Sequence, residues 1–171
     1  MLDQVWWALD AIVFVFSDPL TAGGVVVGAV VLGTSAWFAA RRFGWRPVSS
    51  VFAGIFLSLV LALTFSRSGP SWALVGTQFC LLNGFSLDGV SELFNALLFV
   101  PLVWFAVLAT RRPLAVLVSA VAVSAVIEIL QPLVGRGLCE TQDFFNNSAG
   151  AVVAAALAAG YVALRDRAVR V

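Results

Sequence analysis

Long apolar runs alternate with short polar breaks along most of this chain. A helix that crosses a bilayer needs roughly 20 mostly apolar residues. Five segments reach that length or come close to it: Leu20 to Ala40, Val48 to Ser66, Leu93 to Thr110, Leu114 to Val134, and Ser148 to Leu164. The breaks at Arg41–Pro47 and Arg111–Pro113 are short, so the spans on either side of each should pack as antiparallel hairpins. The pattern predicts an all-α integral membrane protein, a compact bundle of about five transmembrane helices forming one membrane domain over residues 1–171.

The first nineteen residues follow a different rhythm. Asp3, Asp10 and Ser17 recur every seven residues and mark one helical face. Trp6 and Trp7, which favour the headgroup region, stand among the apolar remainder. An N-terminal amphipathic helix lying in the outer interface and ended by Asp18-Pro19 is the expected structure. A short sixth span is the alternative, and it leaves the orientation of the later helices unchanged. No basic residue precedes Arg41, so the charged start of a signal peptide is missing and this segment is expected to be retained.

Composition strengthens the membrane assignment. Hydrophobic residues make up 61% of the 171 and charged residues 11%, against about a quarter charged in a soluble domain. Net charge is +1 and no basic cluster stands out, which argues against a nucleic-acid partner. Membrane lipids are the expected surroundings. Histidine is absent, which removes the commonest general base and metal ligand. No cofactor and no metal site are expected.

All ten basic residues are arginine, and their placement orients the bundle. Arg41, Arg42, Arg46, Arg111, Arg112, Arg165, Arg167 and Arg170 fall on one side of the five-span pattern, and only Arg67 and Arg136 on the other. By the positive-inside rule the eight are cytoplasmic. Loops 41–47 and 110–113 and the C-terminus are then inside, and loops 67–92 and 135–147 outside. Each outer loop holds one cysteine, Cys80 and Cys139. In an oxidising exterior they can pair; two free thiols are the alternative. Small residues, including Gly24 and Gly28 and the run "SAGAVVAAALAAG", suit close helix contact.

The outer side also gathers the polar side chains. If the fourth span ends near Val134, Glu128 lies about 9 Å below its end at 1.5 Å per residue. A charge at such depth costs about 2.5–3.5 kcal/mol on insertion scales. Ser124, Glu128 and Gln131 share a helical face that should point into the bundle, with Arg67 and Arg136 as the available cations. Asp88, Glu92, Asn95 and Phe99 follow helical spacing in the third span. Asp88 or Ser91 could cap that helix, and Glu92 suits its first turns. Asn95 lies deeper and needs a partner. Asp143 and Asn147, four apart, precede the last span and either could cap it. Such a cluster is either a structural network or a binding or catalytic site.

These residues carry a resemblance. Asn95, Leu98, Phe99 and Pro101, then Glu128 and Gln131, then Arg136, then Asp143, Asn147 and Gly150 reproduce in order the pattern Asn-x-x-Leu-Phe-x-Pro, Glu-x-x-Gln, Arg, Asp-x-x-x-Asn-x-x-Gly. The pattern resembles that of VanZ-like membrane proteins and places the core at residues 67–164, while the first two spans carry no distinctive motif. The glycine that often follows the proline element is replaced by Val103 and Trp104, and a second acid of the Arg-to-Asp connection would be Glu140. The family takes its name from a protein that lowers susceptibility to teicoplanin, a glycopeptide antibiotic bearing a fatty acyl chain. The resemblance implies an association with glycopeptide resistance.

Two functions follow as expectations. The first is a non-catalytic outward pocket for a lipoglycopeptide or a lipid-linked cell-envelope molecule. Asn95, Glu128, Gln131, Arg136, Asp143, Asn147, Arg67 and Glu92 are its candidate ligand-binding residues. The second is a membrane enzyme acting on a lipid-linked phosphate or cell-wall precursor, with Glu128 and Asp143 as acid and base. A divalent ion held by Asp88, Glu92, Glu140 and Asp143 is a lesser alternative.

Overall fold

The computed structural model describes residues 17–65 and 80–169. Five helices account for most of them: α1 (Pro19–Phe43), α2 (Pro47–Phe65), α3 (Val90–Thr110), α4 (Pro113–Leu133) and α5 (Thr141–Ala168). Each is long and apolar enough to cross a membrane. The chain is an all-α multi-pass membrane protein, as its apolar pattern implies. Two short strands, β1 (Cys80–Leu81) and β2 (Cys139–Glu140), pair in parallel with Cys80 opposite Cys139 and Leu81 opposite Glu140. The N-terminal amphipathic segment lies outside the described residues except for its last members.

Local chemistry sets the helix ends. Asp18 caps α1: its carboxylate accepts from the Thr21 backbone N–H at 2.8 Å and from the Thr21 hydroxyl at 2.6 Å. The hydroxyl bond first, then the backbone bond, holds the Asp18 carboxyl below its ordinary pKa. A lowered carboxyl pKa stabilises the fold at neutral pH, and this contribution disappears only as pH falls through the lowered value. Pro19 and Pro113 sit in the first turns of α1 and α4, where a missing N–H costs nothing. Gly44 ends α1 in the left-handed conformation at φ 69°. Arg111 adopts φ 58° between α3 and α4, an uncommon conformation for a side chain with a Cβ.

One end of the bundle is closed by arginines. The Arg46 N–H donates to the Ala109 carbonyl at 3.1 Å and ties the α1–α2 turn to the end of α3. The Arg111 guanidinium makes two bonds to Asp166, both 3.0 Å. That pair is substantially exposed and contributes at most about 1 kcal/mol. It does, however, fix a register. Arg111 meets Asp166 at the far end of α3 and α5, and near their starts the Ala96 carbonyl lies against Gly150. The two helices therefore run parallel and side by side along their length.

The core follows this seam. Phe99, Val103 and Val107 recur at i, i+4 and i+8 on α3 and pack against Ala151, Ala154, Ala155 and Ala158 of α5. Val60 of α2 and Ala120 and Ile127 of α4 complete the cluster. Phe105 of α3 stacks on Phe52 and Phe56 of α2, with ring centroids 4.9 and 5.6 Å apart. Alanine on one side and branched or aromatic residues on the other let the helices approach closely.

Two boundaries differ from the sequence expectation. The last helix starts at Thr141, not Ser148, so most of the expected outer loop 135–147 is helical. At 1.5 Å per residue α5 is about 42 Å long, against a hydrocarbon core of about 30 Å. Its polar first turns are buried against the rest of the bundle and need no loop. The start of α3 is capped by neither Asp88 nor Ser91. Gly89 is the N-cap and makes no side-chain cap bond, while Asp88 accepts from the Ser86 hydroxyl at 2.9 Å.

Close backbone contact gives a test. A Cβ on Gly54 would lie 2.5 Å from the Leu32 carbonyl oxygen, and one on Gly150 would overlap the Ala96 carbonyl. A Cβ on Gly23 meets nothing within 4 Å. Gly54→Ala and Gly150→Ala should each destabilise the detergent-solubilised protein by about 1–3 kcal/mol. Gly23→Ala should leave stability unchanged or slightly raised. Thermal unfolding followed by circular dichroism measures the difference.

Candidate functional site

At the end opposite the arginines, polar side chains from four elements converge. The stripe predicted on α4 faces inward: Ser124 is fully buried, and Glu128 and Gln131 are 5% exposed. The Gln131 amide donates to the Thr64 carbonyl of α2 at 3.3 Å. A Cβ on Gly137 would lie 2.8 Å from the same amide nitrogen, so Gln131 also supports the 135–138 turn. The Glu140 N–H donates to the Glu128 carboxylate at 3.1 Å. Glu128, Glu140 and Asp143 each make further polar or electrostatic contacts.

The disulfide builds this end. Cys80 and Cys139 are bonded across the parallel strand pair, with Cα atoms 4.5 Å apart and a sequence separation of 59. The bridge fixes β2, and β2 presents the Glu140 N–H to Glu128. Thr141 reinforces the junction. Its hydroxyl donates to the Asn83 carbonyl at 2.6 Å and accepts from the Asn83 N–H at 2.8 Å. Loop 80–83, β2 and the start of α5 are thus tied together beside Glu128.

Helical α5 puts Asp143 and Asn147 on one face, in the first two turns. Asn147 is 5% exposed and donates to the Ser124 hydroxyl of α4 at 3.2 Å. Asn95 of α3 is also 5% exposed. Glu92 lies in the first turn of α3 with its carboxylate folded over Gly89. Asp88 is exposed, and among the described residues no three of His, Cys, Asp and Glu form a metal-holding group. The four-acid divalent site is therefore not assembled among them. Arg136 is exposed and forms no ion pair among the described residues. Its backbone N–H instead donates to the Gln131 carbonyl at 2.9 Å. Arg67 lies outside the described residues.

One residue was missed by the sequence reading. Asn146 is fully buried, and both its amide atoms lack a hydrogen-bond partner among the described residues. Asn95 Nδ2, Asn147 Oδ1 and Ser148 Oγ are in the same condition. Each such atom costs about 1–3 kcal/mol of lost hydration. The usable signal was composition: the chain has four asparagines, and three of them lie here.

A family model, VanZ/LLP1, matches residues 53–164. The chain belongs to the VanZ/LLP1 family. The VanZ/LLP1 match begins inside α2, earlier than the motifs alone suggested, and runs through nearly all of α5. It therefore contains every described candidate site residue. No curated protein and no solved structure matches the chain.

The disulfide has a direct check. The intact protein should take up no alkyl label when denatured without reductant, and two labels after reduction, by mass spectrometry. Cys80→Ser should lower stability by about 2–4 kcal/mol, since the closed loop is long. Labelling of unreduced wild-type protein at either cysteine would contradict this assignment.

Proposed function

We propose that this VanZ-family protein binds the polar part of an amphipathic cell-envelope molecule, a lipoglycopeptide or a lipid-linked precursor, at its disulfide-bonded end. The observation that carries the reading is the set of buried, partly unpartnered amides beside Glu128 in a bundle otherwise clothed in apolar residues. Ionisable and amide groups held at membrane depth are expensive, and their usual reason is function. Leu93 and Leu97 of α3 and Ile129 and Leu133 of α4 are exposed on the same part of the bundle and suit an acyl chain. Asn95, Asn147 and Glu128 orient the polar portion, and Arg136 and Arg67 meet its anionic groups. Gln131 and Glu140 position the site.

The orientation belongs to the same reading. The arginine-rich end is cytoplasmic by the positive-inside rule. The disulfide then lies outside, where an oxidising environment keeps it formed. Facing outward from the outer leaflet, the site meets envelope molecules where they are anchored.

Enzymatic action on a lipid-linked phosphate or cell-wall precursor is the second reading, favoured by the buried carboxylate of Glu128. It would have to rely on carboxylates. The chain has no histidine, and among the described residues no cysteine is free.

Binding separates the two. Full-length protein in nanodiscs should bind teicoplanin, or a polyprenyl-diphosphate-linked sugar, at least about tenfold more tightly than the matching compound without its lipid chain, a difference of about 1.4 kcal/mol. Glu128→Gln and Asp143→Asn should weaken that binding while leaving the bundle folded. If both variants bind like wild type but lose a turnover that wild-type protein performs, the enzyme reading replaces this one. Failure of wild-type protein to retain either lipid-bearing probe overturns both.

A further inference from the structure

The starts of the two parallel helices carry the same short motif. Glu92-Leu93-Phe94-Asn95 opens α3 and Asp143-Phe144-Phe145-Asn146 opens α5, an acid-x-Phe-Asn sequence in each case. Each helix follows one of the paired strands, so the chain runs α2–β1–α3 and then α4–β2–α5 as two units side by side. The seam brings the two asparagines to nearly the same level. Gly150 lies against the Ala96 carbonyl of α3, and Asn146 stands one turn earlier than Gly150 on the same face of α5. With Ala96 level with Gly150, Asn95 and Asn146 are offset along the helix axes by about 4–5 Å. Asn147 turns instead toward α4, where it meets Ser124.

The atoms left without partners define what could satisfy them. Asn95 Nδ2 and Asn146 Nδ2 are donors, Asn146 Oδ1 and Asn147 Oδ1 are acceptors, and the Ser148 hydroxyl serves as either. A fully ionised phosphate or a carboxylate offers acceptors alone and would leave the Asn146 amide oxygen unmatched. A hydroxyl or secondary amide supplies both donor and acceptor. Discrimination of this kind is large, because a buried polar atom left unmatched forfeits its hydration. The opening to this seam is narrow: Asn95 and Asn147 keep 5% of their surface accessible and Asn146 none.

We infer that Asn95 and Asn146 form a paired-amide subsite that takes a neutral, hydroxyl- and amide-bearing group such as an N-acylated sugar, and that Asn146 is a binding residue. This rests on the binding reading above and names the chemistry of its polar portion. Any anionic group of the same ligand would be met elsewhere, at the arginines.

The four asparagines make the test economical. Full-length protein labelled with 15N at asparagine and held in nanodiscs gives only four side-chain amide pairs, and the exposed Asn83 serves as an internal control. Octyl N-acetylglucosaminide should shift the Asn95 and Asn146 signals saturably, while octyl phosphate leaves them in place. Asn146→Asp, which exchanges a donor for an acceptor at constant size, should weaken the glycoside response at least about tenfold. Asn83→Asp should not weaken it. The wild-type titration needs no variant to fold. A response to octyl phosphate equal to or above that of the glycoside overturns the inference and leaves amphiphile binding standing. Silence toward both probes, with lipid-bearing envelope molecules still retained, also overturns it. Silence together with loss of that retention removes both readings.

Discussion

A polar group inside this bundle can find a partner only in the protein or in a bound molecule, because the surrounding lipid offers none. The structure gathers such groups by bringing α3 and α5 into close parallel contact, with the Ala96 carbonyl against Gly150 at one end and Arg111 against Asp166 at the other. Small residues make the approach possible. Once the seam is closed, the first turns of both helices are carried into the bundle together with their amides. The Cys80–Cys139 bridge and its strand pair hold the facing segment in place, so that a backbone N–H reaches Glu128. The site is thus a consequence of the seam.

The partnering is uneven, and the unevenness has meaning. Gln131 and Ser124 have partners on neighbouring helices, and Asn147 is half satisfied. Asn95 and Asn146 are not satisfied by the described residues to the same degree. A bundle that needed polar contacts only for its own stability would gain from pairing or deleting them. Retaining them at the end where flanking helices expose leucine fits a site that completes its hydrogen bonds with a ligand.

Much of this was legible in the chain. Apolar runs separated by arginines and prolines gave five helices, because length and hydropathy decide what can lie in a bilayer. The Ser124–Glu128–Gln131 stripe was readable from helical spacing alone, and its inward direction follows from the cost of exposing it to lipid. The start of α5 was not readable. Its first two turns carry Gln142, Asp143 and the pair Asn146–Asn147, a composition that locally reads as loop, and only tertiary burial makes it helix. The α3 cap was misread for a related reason: Asp88 bonds to Ser86 in its own turn and so leaves the helix to Gly89. Asn146 was not among the candidate site residues because Asn147 alone fits the motif spacing, while the seam that buries Asn146 depends on a register no local pattern encodes. Arg136 looked like a counter-ion for Glu128, yet its side chain is exposed and its backbone closes the turn after α4.

The proposed site requires the polar, disulfide-bonded end to face away from the cytoplasm. Site-directed labelling with a membrane-impermeant maleimide tests it most directly, with single cysteines placed at Asn83 and at Arg167 in intact cells. The native disulfide withholds its own sulfurs from the reagent. The account predicts labelling at position 83 in intact cells and at position 167 only after the membrane is opened. Labelling at 167 in intact cells, with 83 protected until permeabilisation, would contradict it.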